Sequence, residues 1–223
     1  MWRDERGIGL VLVLLCATLF LALSGALVAV MSTETTISAT FREAAVALAA
    51  ADAAIVRVID DLARAPDVNA ALSGTATSTF VDGAATGART LPDGATLDLI
   101  NATNMERCGA SACTDSAIDA ITAERPWGVN NPRWQVYGSG WLSDLAPAAG
   151  EVARVYLVVW IGDDPLETDG DPFTDDADVD AAGHDVVLLR AAAYGAYSVR
   201  RRLEVVVRRE EGTARLTSWR EIR

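Results

Sequence analysis

Hydrophobic positions along this chain follow three regimes. From residue 7 to residue 33 there is no charged side chain. As a helix, the apolar run 8–31 would rise about 36 Å, more than the roughly 30 Å hydrocarbon core of a bilayer. From 33 onward the pattern becomes one-sided. Ile37, Phe41, Ala44, Ala45, Leu48, Ala51, Ile55, Val58, Ile59 and Leu62 recur at steps of three and four, the stripe of an amphipathic helix. Glu34, Arg42, Glu43, Asp52, Arg57, Asp60 and Asp61 occupy the other side. This second stretch is alanine-rich and free of Gly and Pro until Pro66, so it favours helix strongly and stops where proline forbids continuation. The two regimes together predict one helix over about 8–65, roughly 87 Å long.

After Pro66 the period changes. Residues 67–88 are small and polar, with Gly74, Gly83 and Gly87, and read as loop. Asp93-Gly94 between short extended runs signals a hairpin. The segments RWQVYGSGWL, ARVYLVVWIG, HDVVLLRAAAYG, SVRRRLEVVVRR and ARLTSWREI are rich in Val, Leu and aromatics, as strands are. The run 154–161 is almost continuously apolar and predicts a central strand covered on both faces. Leu203, Val205 and Val207 alternate with Glu204, Val206 and Arg208, which predicts one wet face. A turn at Glu210-Glu211-Gly212-Thr213 leads to the last strand, and short connections imply an antiparallel meander. The expected fold class is α+β: a long N-terminal helix packed on an antiparallel sheet.

Charge changes the picture in one place. The net charge is −12, but ten of the 31 acidic residues lie between Asp163 and Asp185, a segment with no basic residue. The remaining 21 acids nearly balance 19 bases. All 19 bases are arginine. Arg200, Arg201, Arg202, Arg208 and Arg209 form the one basic cluster, read as a solvated strand face, a guarded edge or an acidic neighbour's docking surface. No basic footprint suited to a phosphate backbone exists elsewhere, so nucleic-acid binding is excluded. Within the acidic segment, Asp169, Asp171, Asp175, Asp176, Asp178 and Asp180 stand mostly at alternate positions in Gly- and Pro-rich sequence. Clustered carboxylates on a loop suit calcium, a hard cation wanting six to eight oxygens. The EF-hand spacing is not matched, so the signal is compositional. A solvated acidic loop and an acidic docking surface stay open beside calcium, which is the one candidate cofactor.

Cys108 and Cys113, in CGASAC, are expected to form a disulfide if the domain lies in an oxidising compartment. Cys16 lies within the apolar run and reads as a packing or lipid-facing residue. No nucleophile elbow, P-loop, HExxH or GxGxxG is present. His184 is the one histidine, and neither Ser139 nor Ser143 stands at a spacing that makes a triad with it. A non-enzyme is expected, with the tryptophans serving core and sheet packing.

RGIGLVLVLL, a Gly after an Arg and then unbroken apolar sequence, resembles the class III signal of type IV pilins. The continuation STETTISATFREAAVALAAADAAI resembles the PilX-type minor pilins, with a polar patch at 33–36, Arg42, and an Ala-rich run around Asp52 ending at Ile55. The resemblance covers about 60 residues. It implies cleavage between Gly7 and Ile8 by prepilin peptidase. The chain then divides into a leader (1–7), a transmembrane half-helix (8–32), an amphipathic half-helix (33–65) and a β-rich extracytoplasmic domain (66–223). It further implies a subunit held in the inner membrane with its C-terminal domain in the periplasm, then carried into a pilus or to the cell surface beside other pilin or minor pilin subunits. Pilins of the major kind carry Glu at the fifth position after the cut, and here that position is Leu12. Its absence resembles PilX-type proteins and the pseudopilin GspK of type II secretion. It implies a place at the tip or in initiation rather than along the fibre, with adhesion as an added role. Other readings stay open: a signal peptide cut near Ser24-Gly25-Ala26, a TadE/TadG-like protein, and a single-pass anchored, calcium-dependent binding module that never polymerises.

Overall fold

The computed structural model describes residues 6–121, 126–147, 154–167, 169–175, 183–210 and 212–222. The chain is α+β and falls into two compact units, 1–42 and 43–223. Helix α1 spans Arg6–Arg64. In the first unit its side chains are largely exposed and apolar. Thr18, Thr33, Thr36 and Thr40 each donate a hydroxyl to a carbonyl three or four residues back, so their polar groups are satisfied within the helix itself. The helix stops before Pro66. Its last turn is closed by Ala65 N–H donating to Leu62 O, and by the Arg209 guanidinium donating to Ala65 O at 2.9 Å, a cation on the carbonyl end where the helix dipole favours one.

In the second unit the C-terminal part of α1 lies on a five-stranded antiparallel sheet. Strands β3 (Gln135–Trp141), β4 (Tyr156–Asp163), β5 (Val186–Tyr194), β6 (Arg200–Glu210) and β7 (Thr213–Ile222) pair in sequence order, the expected meander. Ala47, Ala50, Ala51, Ala54, Ile55, Val58 and Leu62 face Leu157, Val159, Ile161, Leu189, Leu203 and Val205. The stripe therefore starts at Ala44. Ile37, Phe41 and Ala45, expected on it, are exposed. Small residues win the contact because alanine lets a helix backbone approach a sheet closely, whereas bulky side chains would hold it off.

The sheet's other face carries a second layer that periodicity did not predict. A hairpin of β1 (Ala88–Thr90) and β2 (Thr96–Asp98) turns at Asp93-Gly94 and feeds helix α3 (Leu99–Cys108). Asp98 caps α3 by accepting from Asn101 N–H at 2.8 Å, and Gly109 ends it in the left-handed conformation. Leu99 and Ala102 pack on Trp134, Val136, Tyr156, Val158 and Trp160. With helices on both faces, β4 is buried at every position, the reason its sequence is continuously apolar. The loop expected over 67–88 includes a short helix, α2 (Asn69–Leu72). Its later part, 78–82, lies along the outer edge of β3, where Ser78 N–H donates to Tyr137 O and Ser139 N–H to Phe80 O. Asp61 of α1 holds this segment by accepting from Ser78 Oγ and Thr79 N–H.

Candidate functional site

The N-terminal residues singled out by sequence sit in the first unit. Gly7 has open space around its Cα, and Ile8 and Leu12 are exposed. Among the described residues, α1 is the one helix long and apolar enough to cross a membrane. Cys108 and Cys113 are bonded, with Cα atoms 6.0 Å apart. The bridge closes the end of α3, and Cys16 is free and exposed.

The five arginines are not an open basic patch. Glu106 of α3 is buried to 1% exposure. It accepts from Arg190 at 2.9 Å, Arg200 at 3.0 Å and Arg202 at 3.3 Å. Arg190 also pairs with Glu204 across β5 and β6 and lies 4.6 Å over the Trp134 ring. Arg220 on β7 completes the network on Glu204. Burial opposes ionisation of Glu204, but Arg190 and Arg220 outweigh it and hold the carboxyl below its ordinary range. Arg201 pairs with Glu221, and Arg209 serves Ala65 and Asp185. The strand face that reads as basic is mostly neutralised in place.

The acidic segment divides. Asp169 and Asp171 are exposed, and each accepts from a backbone N–H two residues on, Asp171 N and Phe173 N. They form Asx-type turns within the loop. Asp176, Asp178 and Asp180 lie outside the described residues. Asp175 joins a group that the sequence did not assemble. It accepts from Asp185 N–H at 2.8 Å, while its own N–H donates to Asn69 Oδ1. His184 Nδ1 lies 3.4 Å from Asp175, and His184 Nε2 lies 3.5 Å from Asp185. Ligand atoms from Asp175, His184 and Asp185 all fall within 4.8 Å of one another.

Beside them, β4 ends at Asp163 and turns through Asp164 to Glu167, whose N–H donates to Asp164 O. Asp163, Asp164 and Glu167 are all buried. Gly183 crosses directly over Glu167. A Cβ there would stand 2.5 Å from Glu167 Cγ, and its φ of 100° belongs to glycine. Burial first, then the Glu167 charge, pushes the Asp163 carboxyl up to about 9, with Asp169 and Asp175 adding to it. Burial also raises Asp164 and Asp175. His184, read from sequence as a surface residue, is thus part of the acidic cluster. Ser139, by contrast, donates to Asp82, which also accepts from the Tyr156 hydroxyl.

No family model, curated protein or solved structure matches the chain.

Proposed function

We propose that this chain is a minor pilin or pseudopilin of the PilX kind, a non-catalytic subunit that takes part in assembly of a type IV pilus or related secretion fibre at its tip or initiation complex. The observation that carries the reading is α1 itself. Its residues 8–31 are apolar and exposed, and its residues 47–62 form the core of an α+β domain. An apolar surface of that extent needs lipid or partner helices to cover it. In this reading the inner membrane covers it first and the helices of other pilin subunits afterwards. The domain works in the periplasm and then at the cell surface, where the Cys108–Cys113 bond persists. Prepilin peptidase cuts between Gly7 and Ile8. With Leu12 in place of an acid, the subunit offers no carboxylate to a neighbour's terminal amine, which suits a capping position and leaves its outer surface for adhesion.

Mass spectrometry of the chain recovered from its native membrane tests this. A mature N-terminus at Ile8 is expected, and one at Met1 would defeat the reading. That second outcome would instead favour a single-pass anchored, calcium-dependent binding module, for which the carboxylate cluster around Asp175 speaks. A start near Ala26 would remove half of the apolar helix and defeat both.

A further inference from the structure

The C-terminal end of α1, the connection through Pro66 into α2 and the stretch that runs on to Thr79 enclose a cleft of about 300 Å³. Its walls are chiefly apolar, from Ala65, Pro66, Ala70 and Ala76, and polar groups are few, as in small-molecule sites. Tyr137 of β3 lines it and is 3% exposed. A buried hydroxyl normally finds a partner. What acts on the Tyr137 phenol is burial first, then the charges of Asp61 and Arg209, with no hydrogen bond among the described residues. Burial and Asp61 raise it above its ordinary range, so it stays protonated and able to donate. The charges at the cleft are already matched. Asp61 accepts from Ser78 Oγ and Thr79 N–H and faces Arg57 at 3.3 Å. Arg64 pairs with Asp60, and Asp67 accepts from Asn69 N–H.

From this cleft we infer a binding site for an uncharged sugar residue. An ion would meet charges that the described residues already match, and a wholly apolar ligand would shut the Tyr137 hydroxyl away unsatisfied, which is costly. A pyranose ring offers both things the walls call for. Its C–H surface suits Pro66 and the three alanines, and its hydroxyls can exchange hydrogen bonds with Tyr137 and with the exposed Thr77. The cleft lies wholly within the 43–223 unit, so the inference stands whether or not the chain enters a fibre.

Full-length protein in a detergent without a sugar headgroup, titrated in a calorimeter, tests the site. The probes are methyl glucoside, methyl galactoside and N-acetylglucosamine, with methyl glucuronide and glucosamine as charged counterparts. Saturable one-to-one binding of at least one uncharged probe is expected, with weaker binding of both charged ones. Tyr137→Phe removes only the hydroxyl. It should weaken binding about fivefold, the worth of one net hydrogen bond, while the melting temperature of the sugar-free protein stays unchanged. Should that variant fail to fold, Thr77→Val makes the same test from the exposed side. No binding of any uncharged probe would overturn the site. So would tighter binding of glucosamine or methyl glucuronide, which makes the cleft an ion site. Unchanged affinity in both Tyr137→Phe and Thr77→Val would overturn it by moving the sugar elsewhere. Binding of N-acetylprolinamide in place of the sugars would overturn it too, assigning the cleft to a peptide.

Discussion

Two carboxylates are buried at the margins of the same sheet, and the chain treats them in opposite ways. Glu106 is met by three guanidinium groups from β5 and β6. Asp163 is met by other carboxylates. Removing a charge from water costs several kcal/mol, and only a well-placed counter-charge offsets it. At Glu106 the protein supplies that counter-charge from its own side chains, so the network is complete when the chain has folded. At Asp163 the charges acting on it are of its own sign, and the deficit is met by favouring the protonated carboxyl. Equal burial therefore does not mean equal purpose. The first site locks α3 to the sheet, and the second leaves one carboxylate oxygen of Asp163 without a partner.

The sharpest way to break this contrast is to remove the acid from each site. Glu106→Ala leaves Arg190, 8% exposed at its side chain, with Glu204 alone and its Nη1 without the Glu106 acceptor, and should destabilise the domain by about 3 kcal/mol in denaturant titrations of the detergent-solubilised protein. Gly183→Ala attacks the other site through its backbone. With a φ of 100° and Glu167 in the way, it should cost about 2–3 kcal/mol. Replacing both Cys108 and Cys113 by serine frees the end of the helix that carries Glu106. For a loop this short the loss should be about 2 kcal/mol, read as a lower melting temperature. Asp163→Asn should change stability by less than about 1 kcal/mol, since its Oδ1 loses no partner. A loss as large as that of Glu106→Ala would erase the distinction between the sites.

Acid offers a subtler probe of the arginine network. Glu204 is held below its ordinary range in the folded chain. Its contribution is therefore present above the unfolded carboxyl range, near 4.3, and lost as pH falls through the lower folded value. Unfolding monitored across that acidic window should show a shallower decline in Glu204→Gln than in wild type.

The meander, the all-round burial of β4 and the one wet face of β6 were legible because each follows from period and hydrophobicity. So were the two hairpin turns at Asp93-Gly94 and Gly212. The α3 layer was not, although Asp98 and Gly109 bracket it as cap residues. Its ten residues bury Leu99 and Ala102 but also Thr103 and Glu106, so its inner side does not look apolar. Thr103 is there to accept from the Trp160 indole N–H at 2.9 Å. The stripe of α1 was misplaced at its start for the converse reason: alanine is the contact residue, and large side chains drew attention away from it. In the acidic segment, sequence spacing pointed to alternate aspartates. The converging group instead joins a strand end, a turn and Gly183-His184-Asp185, residues up to 22 positions apart, and no linear pattern reports that proximity.

The strip of chain at 78–82 has a mechanical corollary. It occupies the flank of β3, whereas β7 is last in the sheet, with nearly every residue exposed on both faces. Among the described residues, a ribbon covered along one border at 78–82 stays open along the opposite one. Among the described residues, a strand donated by another molecule would find its open backbone beside Thr213–Ile222.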